Sequence, residues 1–135
     1  MTDRNGDYVA ECDNVCIGDS NVDHPEFYSV RTSVARKATK CCECDGTIEV
    51  GAKFFRVAGK WESVFSTFNQ CWPCHEIQDV FSCGHGFYYG GLWETWQEND
   101  AFARLTVSNP CFRKLSPETR RFLVKRWWAW MERTL

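Results

Sequence analysis

The chain has 135 residues, one domain's worth. It is 44% hydrophobic with seven Trp, ten Phe and four Tyr, which excludes a disordered chain. Net charge is only −2, and no run reaches the ~20 apolar residues of a membrane span, so the composition points to a soluble cytoplasmic protein with no membrane partner.

The first thirty residues carry seven acids against one Arg, lack sustained periodicity, and read as a loop or extended arm. Residues 31–40 then bring Arg31, Arg36, Lys37 and Lys40 with no acid. This polarity suits either internal pairing between arm and basic segment or two surfaces directed at different partners.

"KCCECDGTIEVG" follows, with three cysteines in four positions, and "NQCWPCHE" repeats the Cys-x-x-Cys gap thirty residues later. Between them, "TIEVGAKFFRVAGKWESVFSTF" is rich in β-branched and aromatic residues and predicts two or three short antiparallel strands, with Gly51 and Gly59 as turn signals. "CWPCHEIQDVF" predicts a helix beginning at or beside Cys74, apolar at Ile77, Val80 and Phe81. In a reducing cytosol, structural disulfides are disfavoured and such pairs point to metal or redox chemistry. A thiol redox centre needs one pair at a helix start and no second pair, whereas two pairs flanking a hairpin suit one tetrahedral metal. The expected site is therefore Zn²⁺ held by Cys41, Cys44, Cys71 and Cys74. Cys42 is spare, because Cys42-x-Cys44 makes a tighter loop than the usual knuckle. The order of knuckle, hairpin, knuckle and helix predicts an α+β fold of treble-clef type. Four thiolates close the metal's shell and leave no position for an activated water, so the zinc is expected to be structural.

Further along, "SCGHGFYYGG" reads as a turn or linker, and "LWETWQENDAFARL" as a helix. A second metal set can be assembled from Cys12, Cys16, Cys83 and His85, against the reading of these as ordinary thiols and a surface His; Cys111 reads as core. The last element is a helix with Ser116 as N-cap, Pro117 at its first position and Glu118 in its first turn. Leu123, Trp127, Trp130 and Met131 form its apolar face, which leaves Trp128 exposed or meeting a partner. From Cys111 onward seven bases stand against two acids. The candidate partner-binding set is Arg36, Lys37, Lys40, Arg121, Lys125, Arg126 and Trp128, since bases interleaved with aromatics can hold phosphates and stack on bases, or meet a protein. The single domain divides into an acidic arm (1–35), a zinc finger (36–85) and a helical extension packed on it (86–135).

Two resemblances bear on function. "NQCWPCHE" resembles the closing segment of HNH endonucleases, where His75 and Asn69 match a catalytic-metal ligand and its neighbouring Asn. Those enzymes also need a general-base His between the two cysteine pairs, and residues 45–70 contain none. Across about residues 8–98 the chain is similar to a family of small uncharacterised proteins of tailed phages and prophages. The resemblance is carried by Phe27 and Tyr28, Ala35-Arg36-Lys37, the two Cys pairs, Trp61, Phe68 and Leu92-Trp93-Glu94. It implies a zinc-binding accessory protein acting in the host cytoplasm. The expected function is non-enzymatic binding of a host or phage macromolecule, a protein such as a host-defence factor before a nucleic acid; the alternative is a DNA-binding or degenerate HNH-type nuclease.

Overall fold

A computed structural model describes residues 15, 17–18, 27–82 and 89–134. Cys12, Cys16, Cys83 and His85, and most of the acidic arm, lie outside the described residues. The fold is α+β, a small antiparallel sheet followed by helices. Three strands, β1 (Phe27–Val34), β4 (Lys53–Trp61) and β5 (Val64–Cys71), form an antiparallel sheet in the order β1-β4-β5. Two-residue strands β2 (Thr39–Lys40) and β3 (Thr47–Ile48) make a separate small hairpin between β1 and β4.

Phe27–Val30 belong to β1 rather than to the loop expected of the first thirty residues. In the segment "FYSVRTSV", Tyr28, Val30, Thr32 and Val34 alternate with Phe27, Ser29, Arg31 and Ser33, and tertiary pairing with β4 makes it a strand. The sheet thus begins within the arm region. Gly51 turns as expected, at φ 87°. Gly59 does not turn: it lies inside β4, opposite Tyr28, because a Cβ there would stand 2.7 Å from both the Trp61 ring and the Tyr28 Cβ. The β4–β5 turn falls instead at Glu62 and Ser63, both at positive φ (49° and 68°), the pair of left-handed residues that a two-residue hairpin of matching twist requires.

Helix α1 (Trp72–Phe81) follows β5 directly, with Cys71 as N-cap and Pro73 in its first turn. It covers the sheet face that carries Phe55 and Gln70, a cross-strand pair. Phe55 contacts Trp72 and stacks on His75 at 3.7 Å between centroids. The helix expected over residues 92–105 breaks at Asp100, whose φ of 52° separates α2 (Leu92–Glu98) from α3 (Ala101–Arg104). A short α4 (Pro110–Lys114), capped by the Asn109 side chain, had no sequence signal beyond its Asn-Pro start. Cys111 is fully buried, as a core residue should be, but it is also disulfide-bonded. The expectation that disulfides are disfavoured therefore fails at this position.

Helix α5 (Pro117–Thr134) packs on α1 and starts at Ser116, whose Oγ accepts the Thr119 N–H. Leu123 is fully buried, Trp127 and Trp130 pack against the core, and Trp128 is 61% exposed. The core joins the two halves: Ile48, Phe54 and Ile77 from the cysteine-bearing part meet Trp96, Leu115 and Leu123 from the helical part.

Candidate metal centre

Cys41 and Cys44 lie on the loop between β2 and β3. Cys41 N–H donates to the Gly46 carbonyl and Asp45 N–H to the Cys41 carbonyl, which closes a tight turn around the thiols. Cys71 ends β5, and Cys74 sits one turn into α1. A backbone hydrogen bond from Cys42 N–H to the Asn69 carbonyl (2.8 Å) docks the first turn against the second. The Sγ atoms of Cys41, Cys44, Cys71 and Cys74 all lie within 4.8 Å of one another, and Cys44 and Cys71 are 3.9 Å apart. A tetrahedral ion with metal–sulfur bonds of about 2.3 Å needs sulfur–sulfur edges of about 3.8 Å, so the cluster matches a four-thiolate metal site. Among the described residues this is the group of His, Cys, Asp and Glu close enough to hold an ion.

The surroundings favour thiolates at Cys41 and Cys44. Cys41 Sγ accepts from the N–H groups of Glu43 and Cys71, both at 3.3 Å, and Cys44 Sγ accepts from Gly46 N–H at 3.4 Å. Hydrogen bonds from Cys44, Cys71 and Cys74 hold the Cys41 thiol far below the ordinary range, against its burial. Cys44 is brought to about 7: contact with Cys41 raises it, but hydrogen bonds from Cys71 and Cys74 and from the Gly46 N–H outweigh this. Cys71 and Cys74 are held high, chiefly by their contacts with Cys41 and Cys44, so their protons leave last. Four thiols in mutual contact cannot all ionise without a cation, and a bound divalent ion supplies that charge. Cys42 stands apart. Burial and the neighbouring Glu43 carboxylate push its thiol upward, and its Sγ points to Glu43 rather than into the cluster.

Two glutamates missed by the sequence reading fasten the helices to this centre. Glu43, between the first two ligands, accepts from Gln70 Nε2 (2.7 Å), Gly90 N–H (2.9 Å) and Leu92 N–H (3.0 Å), so a residue of the first cysteine turn caps α2. Glu76, on α1, accepts from Ser116 N–H (2.6 Å), Ser116 Oγ (2.9 Å) and Thr119 Oγ1, and so anchors the start of α5. A carboxylate in a knuckle otherwise read only for its cysteines was the available signal for Glu43.

His75 does not join the cluster. Its Nδ1 lies 2.7 Å from Gln70 Oε1, while Gln70 Nε2 also reaches Gln78 Oε1 at 2.6 Å. Burial lowers the His75 imidazole below its ordinary pKa. Asn69 lies on the opposite sheet face from Gln70, and its Oδ1 is buried with no hydrogen-bond partner.

The candidate partner-binding residues are distributed over several surfaces. Arg36 and Lys37 line a groove on the sheet face away from α1, and Lys40 is exposed on β2. Arg121, Lys125 and Trp128 are exposed on α5 at i, i+4, i+7 spacing, and so share its outer face. Arg126 turns inward, its guanidinium 4.0 Å from the Trp93 ring centroid. Because α5 packs on α1, the sheet stands between the Arg36–Lys37 groove and the basic face of α5. Comparison with protein-family models, with curated proteins and with solved structures found no match.

Proposed function

We propose that this chain is a zinc-stabilised treble-clef protein that works by binding a macromolecule, without catalysis, as an accessory protein of the phage type its sequence resembles and in the host cytoplasm. The observation that carries the reading is the cluster of four Cys Sγ atoms within 4.8 Å, donated by a turn before a β-hairpin and by the strand end and helix after it. Zinc suits this donor set, since four thiolates are typical of its structural sites and leave no open coordination position. The ion takes up a structural role, because its ligands join the two hairpins and α1, whereas Glu43 and Glu76 carry the α2 and α5 starts on the same framework. Against the nuclease alternative stands His75, whose Nδ1 is engaged by Gln70 and whose ring is stacked on Phe55, away from any second group of metal ligands among the described residues. The test is metal analysis of the purified chain together with digestion of plasmid and oligonucleotide under magnesium, manganese or nickel. Bound zinc without cleavage supports the proposal, and cleavage abolished by His75→Ala overturns it.

A protein partner has its own supporting observation. The outer face of α5 exposes Trp128 one turn after Lys125, an arrangement suited to a protein contact in which the indole is the anchor.

A further inference from the structure

The sheet face opposite α1 carries an arrangement that the zinc scaffold does not use. At one end, a groove of about 700 Å³ is lined by Arg31, Arg36, Lys37 and Arg56, with Phe54 and Asn69, and, among the described residues, by no carboxylate. Arg31 and Arg56 are register partners on adjacent strands, and Asn69 is the partner of Arg56 on the next. Like charges placed directly opposite destabilise a sheet. Among the described residues no acidic side chain relieves them. The adjoining Asn69 Oδ1 is a buried acceptor with no partner. A row of cations so built favours an anionic ligand.

The other end of the same face is aromatic around one cation: Lys60, register partner of both Phe27 and Phe65, holds its ammonium 5.4 Å from the Phe65 ring centroid. Side chains alternate across a strand, so Phe27, Ser29 and Arg31 share a face, as do Phe65, Thr67 and Asn69. Phe27 and Phe65 are 55% and 70% exposed, and their ring centroids lie 5.7 Å apart. Only Ser29, Ala58 and Thr67, all exposed, separate them from the arginine row. The strand rise of about 3.3 Å per residue puts the aromatic pair roughly 13 Å from that row. Exposed rings and a cationic groove on one sheet face match the two needs of an unpaired strand, stacking for bases and positive charge for phosphates.

We propose that this face binds single-stranded nucleic acid, with bases on Phe27 and Phe65 and the phosphates running into the groove of Arg31, Arg36, Lys37 and Arg56. The inference rests on the macromolecule-binding reading and goes beyond it, adding a nucleic-acid contact on the sheet to the protein contact read on α5. A duplex satisfies the arginines but leaves the exposed rings unused, because its bases are already stacked on one another. An acidic peptide likewise matches only the charge.

The test is fluorescence anisotropy of the full-length, metal-loaded chain with labelled oligo(dT) and oligo(U), and with a duplex of equal length, over a salt series. Single strands should bind more tightly than the duplex, with a log–log salt slope of about −2 to −3, from four cations at roughly 0.7 each. Arg31→Ala/Arg56→Ala should reduce that slope by about 1.4 in magnitude. Phe27→Ala/Phe65→Ala should weaken binding by about thirtyfold or more, the effect of losing at least roughly 1 kcal/mol of stacking at each ring, and leave the slope unchanged. Arg121→Ala/Lys125→Ala should bind as the parent does. These side chains are exposed, so the variants should keep the parent's metal content and melting temperature. The proposal is overturned by no binding from a folded, metal-loaded chain, by equal affinity for duplex, by displacement with polyglutamate at equal charge concentration, or by loss of binding only in the α5 variant. Failure of the zinc reading shows separately, in the metal content.

Discussion

Removing the Glu43 carboxylate should loosen the helical half from the cysteine cluster while leaving all four thiols in place. Glu43 accepts three hydrogen bonds, from Gln70 Nε2, Gly90 N–H and Leu92 N–H, at 2.7–3.0 Å. Hydrogen bonds to a charged group contribute about 1.5–3 kcal/mol each when well buried. The Gly90 contact is exposed, so water replaces it at little cost; the other two are partly buried and are discounted to about 1–1.5 kcal/mol each. Glu43→Ala should therefore cost about 2–3 kcal/mol. With an unfolding entropy of about 2.1 cal/mol/K per residue, that corresponds to a fall in Tm of roughly 9 °C for 135 residues. Glu43→Gln should fall between the two, since its amide retains one acceptor but turns a donor toward donors. Calorimetry of the metal-loaded proteins, with metal content measured beside it, is the assay. A Glu43→Ala melting temperature within 2 °C of the parent's, at equal metal content, refutes the idea that this residue ties α2 to the cysteine turn.

Other substitutions separate ligands from neighbours. Cys71→Ser should lose the zinc and become protease-sensitive, because structural zinc sites supply about 10–16 kcal/mol of apparent binding energy, whereas Cys42→Ser should keep both metal and resistance. Gly59→Ala should destabilise by about 1–3 kcal/mol, read from denaturant midpoints, since the new methyl group meets the Trp61 ring and Tyr28 Cβ at 2.7 Å. Glu76→Ala should lower stability by about 2 kcal/mol and expose the start of α5 to hydrogen exchange, because it strips the partner from Ser116 N–H and Thr119 Oγ1. Acidification should release the metal cooperatively, as protons compete for thiolates, and unfolding should follow its release.

The four-cysteine set was legible in the sequence because it is local: each Cys-x-x-Cys forms within one turn, and the β-rich stretch between the pairs has the composition of a hairpin. The Ser116-Pro117-Glu118 start of α5 was legible for the same reason. What escaped depends on register and on tertiary contact. Nothing in "FYSVRTSV" alone shows that Arg31 will face Arg56, since that follows from the pairing of β1 with β4 across an intervening hairpin. Gly59 carries an ordinary turn signal, and only the Trp61 ring and Tyr28 beside it show that its use is close packing. Arg126 reads as part of a basic helix face until Trp93, more than thirty residues earlier, takes its guanidinium.

The most direct test of the zinc site is cobalt substitution of the full-length chain and of Cys71→Ser, followed by absorption spectroscopy and native mass spectrometry. The account predicts an intense thiolate-to-cobalt band for a tetrahedral site of four sulfurs, displaced stoichiometrically by zinc, and one metal fewer in the Cys71→Ser chain. A parent chain that binds no metal, or a spectrum and stoichiometry unchanged in Cys71→Ser, would contradict it.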